Sequence, residues 1–170
     1  MKEILLEFYK GVGINRIMTE NLEAITFSAF ILIMAFAFWM VSKRIFRLIF
    51  SKISKKTKSK FDDYLIKNKI PETLSYFPSL FLLMSFLPQS LQSFHLLNQP
   101  ITITLEISGA IISIVLVRRF LNSIKDFLKT LKNFKDKPID SYIQVIMIFV
   151  WFIGVMIIFS ILSGKDIGAF

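Results

Sequence analysis

The chain has 170 residues, of which 54% are hydrophobic and 15% aromatic, with a mean hydropathy of +0.61 and a formal net charge of +9. Water-soluble domains have about 45–50% apolar residues, so this composition favours a membrane protein. The chain has no cysteine and one histidine, which excludes disulfides, thiol catalysis and Cys- or His-cluster metal sites. It also has no phosphate-binding loop or catalytic triad, so we expect neither an enzyme nor a cofactor.

The N-terminus contains an amphipathic stretch, MKEILLEFYKGVG, with apolar residues on one side and glycines at its end. We interpret residues 1–23 as an interfacial segment on the outer face of a membrane. The stretch lacks the compact basic lead-in and the small-residue cleavage site of a signal peptide. We therefore do not expect it to be removed.

Four stretches with little or no charge follow, each close to the length of about 20 residues that crosses a bilayer core as a helix. The predicted spans are residues 24–42, 74–94, 101–117 and 142–162. The second contains Pro78 and Pro88, so we expect a kink in it. The predicted fold is an all-α integral membrane protein with four transmembrane helices, an amphipathic N-terminal segment and basic helical cytoplasmic loops.

The basic residues are concentrated in two loops. Ten Lys and Arg lie between residues 43 and 69 and seven between residues 118 and 137, which together is 17 of the 21 in the chain. Cytoplasmic loops of membrane proteins carry an excess of Lys and Arg. We therefore predict that both basic loops are cytoplasmic and that both termini lie outside.

The first basic loop opens with VSKRIFRLIFSKISKK, in which Ile45, Leu48, Ile49 and Ile53 recur at helical spacing between cations. This pattern predicts that the first span continues as an amphipathic helix along the inner leaflet. Its cations would then meet anionic lipid headgroups. We favour the interpretation that this charge sets the topology while the long side chains snorkel, and the alternative is specific recognition of these lipids. The candidate headgroup contacts are Lys43, Arg44, Arg47, Lys52, Lys55 and Lys56.

Glu106 is the one charged residue within the predicted spans. A charge inside a membrane is costly and suggests a function by default. Small or polar residues recur around it at spacings of four, three and four, which places them along one stripe of the helix. They are Thr102, Glu106, Gly109 and Ser113. We interpret the stripe as a helix-packing face, and the alternative is a face that lines water.

The stretch FKDKPIDSYIQVIMIFVWFIGVMIIFSILSGKD starts a helix near Pro138 and closes a long apolar span on Gly164. It resembles the segment before the pore helix in the small-conductance mechanosensitive channels, the MscS family, and especially in their five-span YbdG-like (miniconductance) branch. The N-terminal stretch, the basic loop KISKKTKSKFDDYLIKNKI and the spacing of the four spans are similar to the sensor region of that branch. The family-like positions are Lys137, Pro138, Ile139, Tyr142, Gln144, Gly164 and Lys165.

The resemblance implies the tension-sensing part of a homoheptameric channel that protects bacteria during osmotic downshock, in the inner membrane. In the family, a Gly/Ala-patterned pore helix and a cytoplasmic vestibule follow this region. We expect residues 163–170 to be a truncated lead-in to a pore helix that this chain lacks, and the chain alone to be non-conducting. The expected partners are the lipid bilayer, anionic lipids and further copies of the chain, with no nucleic acid. The alternatives are a small membrane scaffold, an accessory subunit or a lipid-binding protein.

Overall fold

The computed structural model describes residues 16–56, 60–92, 94–134 and 137–164, apart from the side chains of residues 16–20, 56, 95 and 133. These residues form helices joined by turns, and no strand occurs among them. The elements in chain order are α1 (Arg16–Lys56), α2 (Phe61–Lys67), α3 (Ile70–Leu74), α4 (Tyr76–Ser90), α5 (His95–Leu128), a 3-10 turn (Lys132–Phe134) and α6 (Ile139–Ser163). The predicted all-α fold is confirmed for this part of the chain.

Four helical stretches are long and apolar enough to cross a membrane. They are Asn21–Lys55 in α1, Ile70–Ser90 across α3 and α4, Leu96–Leu128 in α5, and Ile139–Ser163 in α6. The prediction of a multi-pass membrane protein is confirmed at this level of helix length and composition. On α6, Phe149 and Phe152 are each 64% exposed. A helix with apolar residues all round is typical of a membrane span.

The first predicted span lies within one continuous helix, α1, of 41 residues and about 60 Å. The predicted boundary after residue 23 is not a helix end, because residues 16–23 belong to α1. The remainder of the predicted outer-face segment, residues 1–15, lies outside the described residues. At its other end α1 passes Ser42 without interruption and includes the predicted amphipathic stretch. A bilayer core of about 30 Å would enclose only about half of this helix.

The second predicted span, residues 74–94, begins at the last residue of α3 and contains α4, which ends at Ser90. α3 ends at Leu74, and α4 begins after a one-residue break at Ser75. The break lies less than one turn before Pro78, because a proline cannot donate to the carbonyl four residues earlier, that of Leu74, and its ring collides with that carbonyl. The expected kink is therefore a break upstream of Pro78, whereas Pro88 lies within α4.

The third and fourth helices extend beyond the predicted spans. α5 reaches past residues 101–117 at both ends, and its last turns carry part of the second basic loop. α6 contains the fourth predicted span, residues 142–162, and ends at Gly164. Gly164 has a φ of 63°, the left-handed conformation that glycine adopts at little cost at a helix C-terminus.

The long helices pack side by side as a row in the order α1, α4, α5, α6, and α2 and α3 contact both α1 and α5 at one end. At the opposite end of α4, Ile31 packs against Leu87 and Leu91 in a small apolar core. The Ser28 and Ser90 hydroxyls lie 2.8 Å apart beside it. α4 and α5 thus each pack between two neighbours, whereas α1 and α6 lie at the two ends of the row.

Candidate functional site

The two basic loops meet at one end of the helix row, which we term the basic end. Ser123 Oγ in α5 lies 3.1 Å from the backbone oxygen of Tyr64 in α2. Asn68 Nδ2 donates to Asp126 Oδ2 over 3.3 Å. These contacts join the first basic loop to the second, as expected when two spans separate them.

Arg119 ties α5 to the elbow between α2 and α3. Its Nη1 donates to the backbone oxygen of Lys69 over 2.9 Å and lies 2.5 Å from Thr73 Oγ1. Lys69 has a φ of 59°, a left-handed conformation that costs about 1–2 kcal/mol for a residue with a Cβ. Thr73 is 2% exposed and Ser123 0%. Since the two hydroxyls are buried and hydrogen-bonded, the elbow forms a polar joint with α5.

Aromatic contacts reinforce this joint. The Phe61 ring of α2 lies edge-on to two rings of α5, with centroid distances of 5.4 Å to Phe127 and 6.4 Å to Phe120. Edge-to-face pairs of this kind contribute about 0.5–1.5 kcal/mol beyond the burial of their area. α2 is therefore held on α5 by polar and apolar contacts together.

The C-terminal part of α1, residues 43–56, is termed the α1 extension. One side of it contacts the elbow: Arg47 Nη2 lies 2.8 Å from Glu72 Oε1, and Ser54 Oγ donates to the Asp63 carboxylate. A second side carries apolar residues that α2 and α3 leave between 45% and 61% exposed. Together with Val41, which lies two residues before the extension, they form what we term the apolar stripe: Val41, Ile45, Leu48 and Ile49.

Trp39 lies one turn before the α1 extension. Its ring stacks on Tyr76 with centroids 5.9 Å apart, and Lys43 Nζ lies 5.2 Å from its centroid. The Trp39 Nε1 is enclosed and meets no acceptor among the described residues. The ring is therefore held through its faces rather than by a hydrogen bond. Trp and Tyr are enriched where a membrane meets water, and this pair lies where the uncharged part of α1 ends.

The six candidate headgroup cations differ in their contacts. Arg47 is engaged by its acidic partner and Lys43 by the indole ring. The side chain of Lys56 lies outside the described residues. Three others make no hydrogen bond or ion pair within the described part of the chain: Arg44, Lys52 and Lys55. These three retain their full capacity for a partner outside the chain.

The predicted packing stripe follows α5. A Cβ on Gly109 would lie 3.2 Å from Leu80 Cδ2, so this glycine allows α4 to approach closely. Thr102 donates to the Asn98 backbone oxygen over 2.9 Å, and Ser113 donates to that of Gly109 over 2.8 Å. The structure therefore places Gly109 at a helix contact, whereas the two hydroxyls are used within α5.

Glu106 is half-buried and makes no hydrogen bond or ion pair with other described residues. Because α5 begins at His95, Glu106 lies about three turns inside the helix, deeper than the predicted span suggested. It also precedes Arg118 by about 18 Å along the helix axis. If Arg118 marks one edge of the bilayer core, Glu106 lies near its middle, where an ionised side chain costs about 2.5–3.5 kcal/mol.

Gly154 in α6 is a packing residue that sequence reasoning missed. A Cβ at this position would collide with Ile114 Cδ1 of α5 and lie 3.0 Å from Ile114 Cγ1. Both residues are buried. The available signal was a lone glycine within an otherwise bulky apolar span.

The connection between α5 and α6 is held by charge. Asp140, in the first turn of α6, lies 2.5 Å from Lys129 Nζ and 3.6 Å from Lys125 Nζ. Such exposed pairs are screened by water and stabilise the fold little, although hydrogen bonding to Lys129 lowers the pKa of Asp140. Asp140 therefore engages two cations of the second basic loop, Lys125 and Lys129.

The family-like positions lie at the two ends of α6. In chain order, Lys137 covers the Phe134 ring, Pro138 precedes the helix, Ile139 is buried, Tyr142 and Gln144 are exposed, Gly164 ends the helix, and Lys165 lies outside the described residues. These contacts explain the local structure of α6 without reference to a channel.

Within the described ranges, no three His, Cys, Asp or Glu side chains lie close enough together to hold a metal ion. No protein-family model matches the chain, and comparison with curated proteins and with solved structures finds no match.

Proposed function

We propose that the chain is the tension-sensing transmembrane portion of an MscS-like mechanosensitive channel, which protects bacteria against osmotic downshock from the inner membrane. The proposal starts from the sequence resemblance of the basic loop and of the region around α6. One structural observation supports it: a row of four candidate spans in which Arg119 links α5 to the elbow at the basic end, with apolar side chains exposed along α1 and α6.

Tension acts on such a row through area. Stretching a bilayer favours whichever protein state occupies more membrane area, just as a ligand favours the state it binds better. Exposed apolar side chains of the two flanking helices provide contact with lipid tails. The hydrogen bonds between the elbow of α2 and α3 and α5 would couple the tilt of α5 to that of α3 and α4, so a change in tilt at one span would reach the next.

Conduction would require more than these helices. A water-filled path needs polar atoms or closely packed small residues along its whole length. The polar stripe of α5 ends at Ser113 and is followed by Ile114, Val115 and Leu116. The 170 residues by themselves are therefore proposed to form a sensor without a pore.

The test is patch recording in liposomes under increasing suction. The purified 170-residue chain is compared with the same chain extended by the pore helix and vestibule of an MscS-type channel. We expect tension-dependent unitary currents from the extended chain only. The pore helix and vestibule without the 170 residues serve as the control for any tension response of their own. Unitary currents from the short chain, or an extended chain that conducts without responding to tension, would contradict the proposal.

The second candidate is a small membrane scaffold, an accessory subunit or a lipid-binding protein. It is favoured by the α1 extension, because its exposed apolar stripe and the cations that have no partner among the described residues need no channel to explain them. An extended chain that assembles but ignores tension would favour this function.

A further inference from the structure

The apolar stripe continues from the first span into the α1 extension without a change of face. Val41, Ile45, Leu48 and Ile49 stand at positions i, i+4, i+7 and i+8, so they share one side of the helix. The contacts of the extension with Glu72 and Asp63 lie on the side of Arg47 and Ser54. Because the helix is continuous, the stripe carries an apolar surface from the membrane span into the basic end.

The charge of the α1 extension restricts what can cover this surface. Residues 43–56 contain six cations and no acidic residue. A second copy of the same surface would bring like charges together and be repelled. Arg44, Lys52 and Lys55 have no partner among the described residues. The occupant must therefore be apolar on one side and anionic on the other, which is the chemistry of an anionic phospholipid.

The position of the stripe agrees with that chemistry. Trp39 and Tyr76 stack at the end of the uncharged part of α1, as aromatic pairs do at the depth of lipid headgroups. Lys43 begins the extension directly above the indole ring. The stripe starts beside this pair at Val41, and Arg44 follows within two turns. Lys52 and Lys55 lie about 20–24 Å beyond Trp39 along the helix axis, so they reach phosphates where the extension runs along the leaflet.

We propose that the α1 extension is a binding surface for anionic phospholipids, with the apolar stripe against the acyl chains and Arg44, Lys52 and Lys55 on the phosphates. Amphipathic basic helices hold to membranes by this combination of apolar burial and attraction to anionic lipid. The proposal does not rest on the channel function, since it concerns α1 alone. If the experiment below finds no lipid selectivity, the lipid proposal fails. The proposed response to tension is tested separately, by patch recording.

The experiment uses the two tryptophans of the chain, Trp39 and Trp151, as separate reporters. Trp151→Phe leaves Trp39 at the basic end, and Trp39→Phe leaves Trp151 within α6. The full-length variants are placed in vesicles of brominated phosphatidylglycerol or brominated phosphatidylcholine, diluted into unlabelled phosphatidylcholine. Bromine quenches a nearby indole, so the dependence of emission on the fraction of brominated lipid measures which lipid is enriched beside each reporter.

We expect the lipid beside Trp39 to favour phosphatidylglycerol by about fivefold or more, because about 1 kcal/mol for each basic residue at an anionic surface corresponds to about fivefold. The ratio by which phosphatidylglycerol is preferred over phosphatidylcholine beside Trp39 should fall toward one in 1 M salt, because salt screens headgroup charge. It should also fall toward one when Arg44, Lys52 and Lys55 are all replaced by Gln. Trp151 should show no preference.

The matched control replaces Lys125 and Lys129 by Gln, which removes two cations of the same end that are occupied by Asp140. This variant should keep the preference at Trp39. Equal quenching by the two lipids in the parent protein would overturn the proposal and leave an acidic protein segment as the occupant. A preference that survives in the triple Gln variant would overturn the assignment of these three cations.

Discussion

The guanidinium group of Arg119 donates a hydrogen bond to the backbone oxygen of Lys69, 2.9 Å away, across 50 residues of sequence. Lys69 is also a residue with positive φ at the start of α3. The strained turn and the cation that binds its carbonyl thus occupy the same point. Through this contact α5 stabilises an elbow that the local sequence disfavours.

Replacing Arg119 by Gln should destabilise the protein, because hydrogen bonds from charged groups contribute about 1.5–3 kcal/mol and the link from α5 to the Lys69 carbonyl would be lost, leaving only donors from Thr73 on that oxygen. The measurement is thermal unfolding in detergent. Arg118→Gln is the control, since it removes the neighbouring cation, which is exposed. Equal loss of stability in the two variants would show that charge, rather than the Arg119 contact, is responsible.

Gly154→Ala should separate α5 from α6, because its new Cβ would collide with Ile114. Overpacking of this kind costs about 1–3 kcal/mol. Adding Ile114→Val removes the Cδ1 atom and should recover most of the loss. The measurement is the unfolding temperature in detergent, together with cross-linking between cysteines placed on the two helices. Gly109→Ala should cost less, since its nearest atom is the end of a flexible leucine 3.2 Å away. No recovery in the double variant would argue against this contact.

Single cysteines should establish the topology, because the chain has none of its own. With the basic end in the cytoplasm, an impermeant thiol reagent added to intact cells should label Gln99→Cys and Ser163→Cys. Lys60→Cys and Thr130→Cys should be labelled only after permeabilisation. All four residues are exposed in the structure. Labelling of position 60 in intact cells would reverse the orientation.

Glu106 is expected to support helix packing rather than permeation. Glu106→Gln should leave assembly and insertion nearly unchanged, because the amide retains hydrogen bonding and removes the cost of charge. Glu106→Leu should weaken association between copies of the chain by about 1 kcal/mol or less, in the range of hydrogen bonds between membrane helices, since Glu106 has no hydrogen-bond partner among the described residues. The measurement is the monomer–oligomer equilibrium in detergent micelles. A change of ion flux in the extended channel on Glu106→Gln would favour the alternative of a water-lining face.

The four spans and the helical continuation of α1 were accessible from sequence because each depends on local properties. The length of an apolar run determines whether a helix can cross a bilayer, and the spacing of Ile45, Leu48 and Ile49 determines an amphipathic face. The break before α4 was only partly accessible. Pro78 predicts a kink, but the position of the break depends on the backbone carbonyl that cannot bond to the proline, which is that of Leu74.

Contacts between distant residues depended on the tertiary structure. In the sequence, Arg119 looks like any other basic residue of a loop. Its role as a hydrogen-bond donor to Lys69 follows only from the packing of α2 and α3 on α5. The candidate headgroup cations likewise look equivalent in sequence, yet Glu72 engages Arg47 and leaves Arg44 without a partner among the described residues. Composition and periodicity are properties of single segments and can be evaluated along the chain. Partners are set by the packing of segments 25 to 50 residues apart, for which no local pattern exists.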